Sequence, residues 1–224
     1  MPAYPHVLIV EDHVLLAESL AVALRLRDFE EIDVVDVASL DDAGILECVE
    51  RTSPDVVLVD LHLGDDRTSL PLIAPIIERG PVVLVLTASA DRVLLARCLE
   101  AGALGVFAKA QAFDDLAAGL VDAMLGRSTM HPAARDELLA ELDEHRRRAD
   151  HLDQLFARLT ERERDVFGAI IDGLTADEIS ARQFVSVATV RSHIRSILEK
   201  LGVNSQLAAV ALARRTGWPD RHTA

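Results

Sequence analysis

The sequence predicts a doubly wound α/β domain built on a five-stranded parallel sheet, followed by a small all-α domain. Across residues 1–125, five short apolar runs rich in β-branched residues alternate with five amphipathic segments. The runs are continuously apolar, as expected of strands covered on both faces by helices. After Gly126 the strand-like runs stop and helical periodicity continues to the end.

Taken in order, the first strand is HVLIV at 6–10, followed by a helix over 14–26. IDVVDV at 32–37 precedes a helix over 41–51, and VVLV at 56–59 precedes one over 70–78. VVLVL at 82–86 leads to a helix over 92–100, and LGVFA at 104–108 to one over 113–125. Residues 133–158 read as one charged helix. Its stripe of Leu138, Leu142, His145, Ala149, Leu152, Phe156 and Leu159 repeats at steps of four and three. Such a stripe suits a coiled-coil seam between chains, or a helix laid on its own domains. Beyond it, Thr160 with Glu163 and Thr175 with Glu178 have the spacing of capping boxes. Gly173 and Gly202 stand where helices end, Ser186 caps a helix running to Leu201, and Ser205 opens the last. The expected division is 1–125, a helical linker over 126–158, and 159–224.

Half of the 224 residues are apolar and 27% are charged, which excludes disordered and fibrous classes. No apolar run approaches the roughly 18 residues that span a bilayer, and the N-terminus lacks the basic head of a signal peptide. A cytoplasmic protein with no membrane partner is expected. Cys48 and Cys98 have no metal-site or disulfide spacing and read as buried thiols. The net charge of −14 is uneven: residues 1–125 carry −14, 126–158 carry −1 and 159–224 carry +1. The last segment therefore lacks the repulsion that would keep it from a phosphate backbone.

In an open parallel sheet, function sits beyond the carboxyl ends of the strands. Strand one is followed there by Glu11 and Asp12, strand three by Asp60, strand four by Thr87 and strand five by Lys109, while strand two offers nothing comparable. Three carboxylates converging on one edge repel unless a hard cation joins them, and oxygen ligands of this kind suit Mg²⁺. A hydroxyl and an ammonium nearby suit a phosphoryl group carried on a carboxylate. A phosphohydrolase of the haloacid dehalogenase type uses a similar set, but needs a second acid two residues after its nucleophile. That position is His62, so an enzyme is not the expected reading.

In the helical region, a helix from Thr175, a short turn over 183–185 and a second helix from Ser186 match helix-turn-helix spacing. Val190, Ile194, Ile197 and Leu201 form an inward stripe on the second helix. Ala188, Arg191, Ser192 and Arg195 fall opposite, where small residues and arginines one turn apart suit a major groove. A plain helical bundle with two surface arginines remains an alternative on this pattern alone.

The strings IVEDH, VVLVDLHLG, VLVLTAS and GVFAK resemble the receiver domain of two-component response regulators. The resemblance implies that Asp60 is the phosphoacceptor and that Glu11 and Asp12 bind Mg²⁺ with Asp60 and the backbone carbonyl of His62. Thr87 becomes the switch hydroxyl and Lys109 the phosphate-pairing cation. LTERERDVF, GLTADEIS and SVATVRSHIRSILEKLGVNS resemble the LuxR-type DNA-binding domain. That resemblance places Arg191, Ser192 and Arg195 in the groove, Thr189 and His193 near the backbone and Lys200 beside a phosphate. The order of the parts resembles the NarL/FixJ group. It implies a DNA-binding transcriptional regulator phosphorylated by a sensor histidine kinase, a homodimer when phosphorylated, acting on double-stranded promoter DNA.

Five positions depart from the family pattern. Val106 stands three before the lysine, where an aromatic is common, and Phe107 faces the other side of the strand. Gly64 replaces a proline after the acceptor, and Asp65 and Asp66 add charge nearby. Gln183 occupies an apolar position of the turn, and Phe184 is expected to fill the space. The departure at Val106 keeps open a regulator whose DNA binding is independent of phosphorylation. An adaptor whose helical domain binds protein is a further alternative.

Overall fold

The computed structural model describes residues 5–64, 67–216 and 218; Asp65 and Asp66 lie outside the described residues. The chain divides into two compact units, Met1–Asp143 and Glu144–Ala224.

The first unit contains β1 (Val7–Glu11), α1 (Val14–Arg25), β2 (Ile32–Asp36), a 3-10 turn (Val37–Ser39), α2 (Asp42–Thr52) and β3 (Val56–Asp60). These are followed by α3 (Leu70–Ile77), β4 (Val82–Thr87), α4 (Arg92–Glu100), β5 (Gly105–Ala108) and α5 (Phe113–Met124). All strands are parallel in the order β2-β1-β3-β4-β5, so the order reverses between β1 and β3. Every residue of β1 and β3 is buried, as the unbroken apolar runs predict. β2 lies at an edge and exposes three of its five residues.

Alternate side chains of the central strands feed two cores. Leu8, Val10, Val57, Val59, Val83 and Val85 pack with Ile45, Val49, Ile73 and Ile76 on one face. Val7, Ile9, Leu58, Leu84 and Leu86 pack with Ala17, Leu24, Leu116 and Leu120 on the other. Each fully buried aliphatic side chain contributes about 1.5–3 kcal/mol. Phe107 belongs to the second core and lies against Gly119, where an added Cβ would sit 2.3 Å from the ring. Val106 faces the opposite side, as the period of two requires. Both cysteines are buried and free, and burial pushes the Cys98 thiol up to about 11.

α6 (Pro132–Ala157) spans the point where the compact units divide. In the first unit, Leu138 and Leu142 are buried against Ala96 and Leu99 of α4, with Val106 and Met130 alongside. Phe156 and Leu159 are buried in the core of the second unit. His145 is exposed between them. The stripe thus serves each unit in turn, and the continuous seam between chains is not needed to explain it.

The second unit continues with α7 (Glu161–Ile171), α8 (Ala176–Gln183), α9 (Val187–Lys200) and α10 (Gln206–Thr216). Both capping boxes form, and Ser186 and Ser205 accept amide hydrogen bonds from Thr189 and Ala208 at the starts of α9 and α10. Phe156 stacks on Phe167 and Trp218, which are tilted against each other, with centroids 4.9–6.1 Å apart. Phe184 does not fill the turn as expected: it is 95% exposed at φ 54°. The left-handed backbone that ends α8 turns its side chain out to solvent.

Candidate functional site

The parallel register brings the ends of β1, β3, β4 and β5 to one edge of the sheet. Glu11, Asp60 and Thr87 are buried there. Lys109, one residue past β5, is held by its amide, which donates to the Thr87 carbonyl at 2.7 Å. Its ammonium donates to Asp60 Oδ2 at 2.8 Å and Glu11 Oε1 at 2.9 Å, and lies 2.7 Å from Glu11 Oε2. Asp12 is partly exposed beside them. Ligand atoms of Glu11, Asp12, His13 and Asp60 all fall within 4.8 Å of one another.

One ammonium faces a cluster of three carboxylates, and burial and neighbouring charge act differently on its members. Burial raises the Glu11 pKa, the Asp60 charge adds to it, and the hydrogen bond from Lys109 opposes it. Burial works against the charge on Asp12, but the hydrogen bond from His13 helps to hold its pKa below the ordinary value. Burial likewise works against the charge on Lys109, and Asp60 and Glu11 raise its pKa above normal. A buried cluster of hard oxygens with excess negative charge fits a divalent cation of the Mg²⁺ kind.

Three further features bear on this edge. The Thr87 hydroxyl accepts the Ser89 amide at 2.9 Å, which ties it to the loop that starts α4. His62 is exposed and its segment forms an isolated antiparallel bridge with Thr68, so its side chain stands outside the cluster. His13 was not singled out from the sequence as a ligand, yet its Nδ1 lies 2.8 Å from Asp12 and 3.2 Å from Glu11. Its place directly after the acidic pair was the available signal. The hydrogen bond to Asp12 raises its pKa.

Packing of α6 on its own chain is one of the two arrangements its stripe allows, and the partner is α4. Besides Leu138 and Leu142, Arg92 pairs with Glu141 at 2.7 Å and Glu137 at 3.3 Å. Arg135 reaches the carbonyls of Leu99, Ala103 and Leu104 at 3.4 Å, where α4 ends. Val106 lies beneath this contact, in the place of the expected aromatic.

On α9 the inward stripe is as predicted: Val190, Ile194, Ile197 and Leu201 are buried. Thr189, Arg191, Ser192 and Arg195 are exposed and His193 is partly so. Among the described residues, neither Arg191 nor Arg195 forms an ion pair. Thr189 shares a hydrogen bond with Ser186 at 2.8 Å. Lys200 is placed differently from the other five. Its ammonium lies 2.6 Å from Glu163, which also accepts Ser196 Oγ at 2.6 Å and the Thr160 amide at 2.7 Å. Burial alone would raise the Glu163 pKa, but these hydrogen bonds prevail and pull it down to about 2. Lys200 thus fastens α9 to α7.

The profile described as "Response regulator receiver domain" matches residues 7–120, and that described as "Bacterial regulatory proteins, luxR family" matches 157–213. "Probable transcriptional regulatory protein NarL" of Mycobacterium tuberculosis is 30% identical over 96% of this chain and 95% of its own. The transcriptional regulatory protein DesR of Bacillus subtilis is 26% identical over 95% and 98%, respectively. Among solved structures, the response regulator StyR is 26% identical over 93% of this chain and 98% of its own, with a TM-score of 0.43. The chain belongs to the two-component response regulators of the NarL/FixJ type, phosphorylation-controlled DNA-binding regulators of transcription. No helix among the described residues is long and apolar enough to cross a membrane.

Proposed function

We propose that Asp60 accepts a phosphoryl group from a sensor histidine kinase and that this transfer controls the binding of promoter DNA by α9. The observation that carries the reading is the buried Asp60 carboxylate with the Lys109 ammonium 2.8 Å away at the functional edge of the sheet. A carboxylate oxygen of Asp60 forms the new P–O bond as the P–N bond of a phosphohistidine breaks, and the imidazole keeps the electron pair and takes a proton. Lys109 then pairs with the phosphoryl oxygens, and the Thr87 hydroxyl donates to one of them. Glu11, Asp12, Asp60 and the carbonyl of His62 are the residues that would hold Mg²⁺, which when bound offsets charge on the phosphoryl group. His62 stands where a phosphohydrolase needs its second acid, so the site is read as an acceptor and not as an enzyme active site.

Thr87 couples the site to output through α4. Turning toward the phosphoryl group, it gives up the Ser89 amide, and α4 carries the change to Leu138 and Leu142 of α6 through Ala96 and Leu99. This route needs no aromatic at position 106. Release of α6 favours a homodimer whose recognition helices meet half-sites about one helical turn apart. Thr189, Arg191, Ser192, His193 and Arg195 face the DNA, and Lys200, assigned by resemblance to a phosphate, acts by holding α9 in place. The protein works in the cytoplasm, where kinase and DNA are both accessible.

The test is retention of genomic DNA fragments by the full chain with Mg²⁺ alone and with Mg²⁺ plus beryllofluoride. Fragments retained only with the phosphoryl mimic are expected. Equal retention in both conditions favours the second reading, DNA binding independent of phosphorylation, for which the valine at 106 is the specific observation.

A further inference from the structure

Phe184 sits in the turn between α8 and α9 with neither a packing reason nor a conformational one for being phenylalanine. Its ring is 95% exposed, more than any other large hydrophobic side chain described. Its backbone lies in the left-handed region at φ 54° and ψ 40°, which disfavours bulky side chains and suits glycine or asparagine. Nor does the ring hold the turn. The amides of Phe184 and Val185 both donate to the Ser180 carbonyl, and Ser180 Oγ donates to the Val185 carbonyl at 2.8 Å. A strained, solvated aromatic that its own domain does not use points to an external contact.

The surroundings say what that contact is. Phe184 lies two residues before Ser186, the N-cap of α9, and the N-terminal turn of a recognition helix is the part that enters the groove. In the sequence, exposed Arg182 precedes it by two residues and exposed Arg191 and Arg195 follow on α9. From Arg182 to Arg195 the chain carries no acid, although it has 37 overall. A stretch that carries three exposed arginines and no acid, with an exposed ring within it, suits a duplex, whose phosphates meet the arginines and whose sugars present apolar faces between them.

We propose that Phe184 is a DNA-contact residue, its ring laid on the deoxyribose edge of the groove that receives α9. This rests on the reading of α9 as the recognition helix. The contact is uncharged and touches no base edge, so it adds affinity without adding sequence preference or salt dependence.

The test uses the full-length protein with Mg²⁺ and beryllofluoride, and a fluorescein-labelled duplex taken from the genomic fragments that the unsubstituted protein retains. Affinity is measured over a salt series for Phe184→Gly, Phe184→Asn and Arg195→Ala, with melting temperatures alongside. Both Phe184 variants should keep or raise the melting temperature, because they relax the left-handed strain. They should nevertheless lose affinity about tenfold with an unchanged slope of log K against log salt. Arg195→Ala should lose affinity and lower that slope by up to about one. Wild-type affinity in the Phe184 variants, with Arg195→Ala impaired, overturns the proposal but spares the recognition helix; transcription lost in that case assigns the ring to a protein partner. Wild-type affinity in all three overturns the recognition-helix reading as well. Should the glycine variant fold poorly, Phe184→Asn carries the same readout, since asparagine tolerates the left-handed turn.

Discussion

Replacing Leu142 with alanine should loosen α6 from α4 while leaving the α/β core intact. Leu138 and Leu142 are the two buried leucines of the contact, 6% and 2% exposed. At about 1.5–3 kcal/mol each, they contribute roughly 3–6 kcal/mol to docking. The Arg92 pairs with Glu137 and Glu141 are exposed and screened, so they set the register of the helix more than its stability. Truncating a buried leucine costs about 2–5 kcal/mol, and a rim that can settle around the gap puts this site near the lower end. A loss of about 2–3 kcal/mol multiplies the undocked population roughly 30- to 150-fold. A released helical segment of this length is marginal in water, so amide exchange over residues 136–143 should accelerate by a similar factor. Beryllofluoride should accelerate the same amides in the unsubstituted protein if α4 transmits the signal. Unchanged protection of 136–143 in Leu142→Ala would refute the docking argument.

Asp60→Asn should abolish labelling by acetyl phosphate, read by intact mass; full labelling of the variant would move the acceptor elsewhere. Val106→Tyr crowds the space beneath Leu138 and Leu142 at a cost of about 1–3 kcal/mol. It should therefore raise DNA retention in Mg²⁺ alone, whereas unchanged retention would separate position 106 from output. Arg195→Ala should cost about 1–3 kcal/mol of DNA affinity if the side chain reads a base, measured by fluorescence anisotropy. Glu163 is held at about 2 against an ordinary 4.5. Its contribution to the stability of the helical unit is therefore complete above pH 4.5 and is lost as the pH falls from there toward 2. The half-buried Lys200 partner is partly screened, which leaves about 2 kcal/mol at stake. Glu163→Gln should be less stable at pH 7 and should show a flatter denaturation midpoint between pH 5 and 3; a midpoint profile parallel to wild type would rule this out.

The elements of the sheet were legible because burial on both faces leaves an unbroken apolar signature, and the acidic edge because a parallel sheet sends every strand end to one side. Glu11, Asp60, Thr87 and Lys109 could therefore be placed together from four separated strings. His13 was less visible, because a histidine after an acidic pair has the same pattern whether its ring turns in or out. The partners of α6 were illegible for a different reason. A stripe at steps of three and four records that one face is buried and says nothing of what buries it. By sequence Val106 is a missing part of a switch; beneath Leu138 and Leu142 it is part of a packed contact.

Lys200 and Phe184 show the same limit in the helical unit. The capping box made Glu163 legible through Thr160, three residues away. Lys200 lies 37 residues from Glu163 and meets it only because α7 packs on α9. A basic side chain near a recognition helix reads as a phosphate contact until that packing is known. For Phe184 the local sequence was misleading, since an apolar residue beside an unexpected glutamine suggests a filled core. Direction is set by the backbone, and a left-handed residue at the end of α8 points away from the helix it terminates. The two residues thus depart from their expected surroundings: the cation expected beside a phosphate is paired with Glu163, and the aromatic expected in the fold is exposed two residues before the N-cap of α9. On the proposed DNA contact, the exposed Arg182, Arg191 and Arg195 are the charged members of the surface, so binding should depend on salt through them and on Phe184 without it.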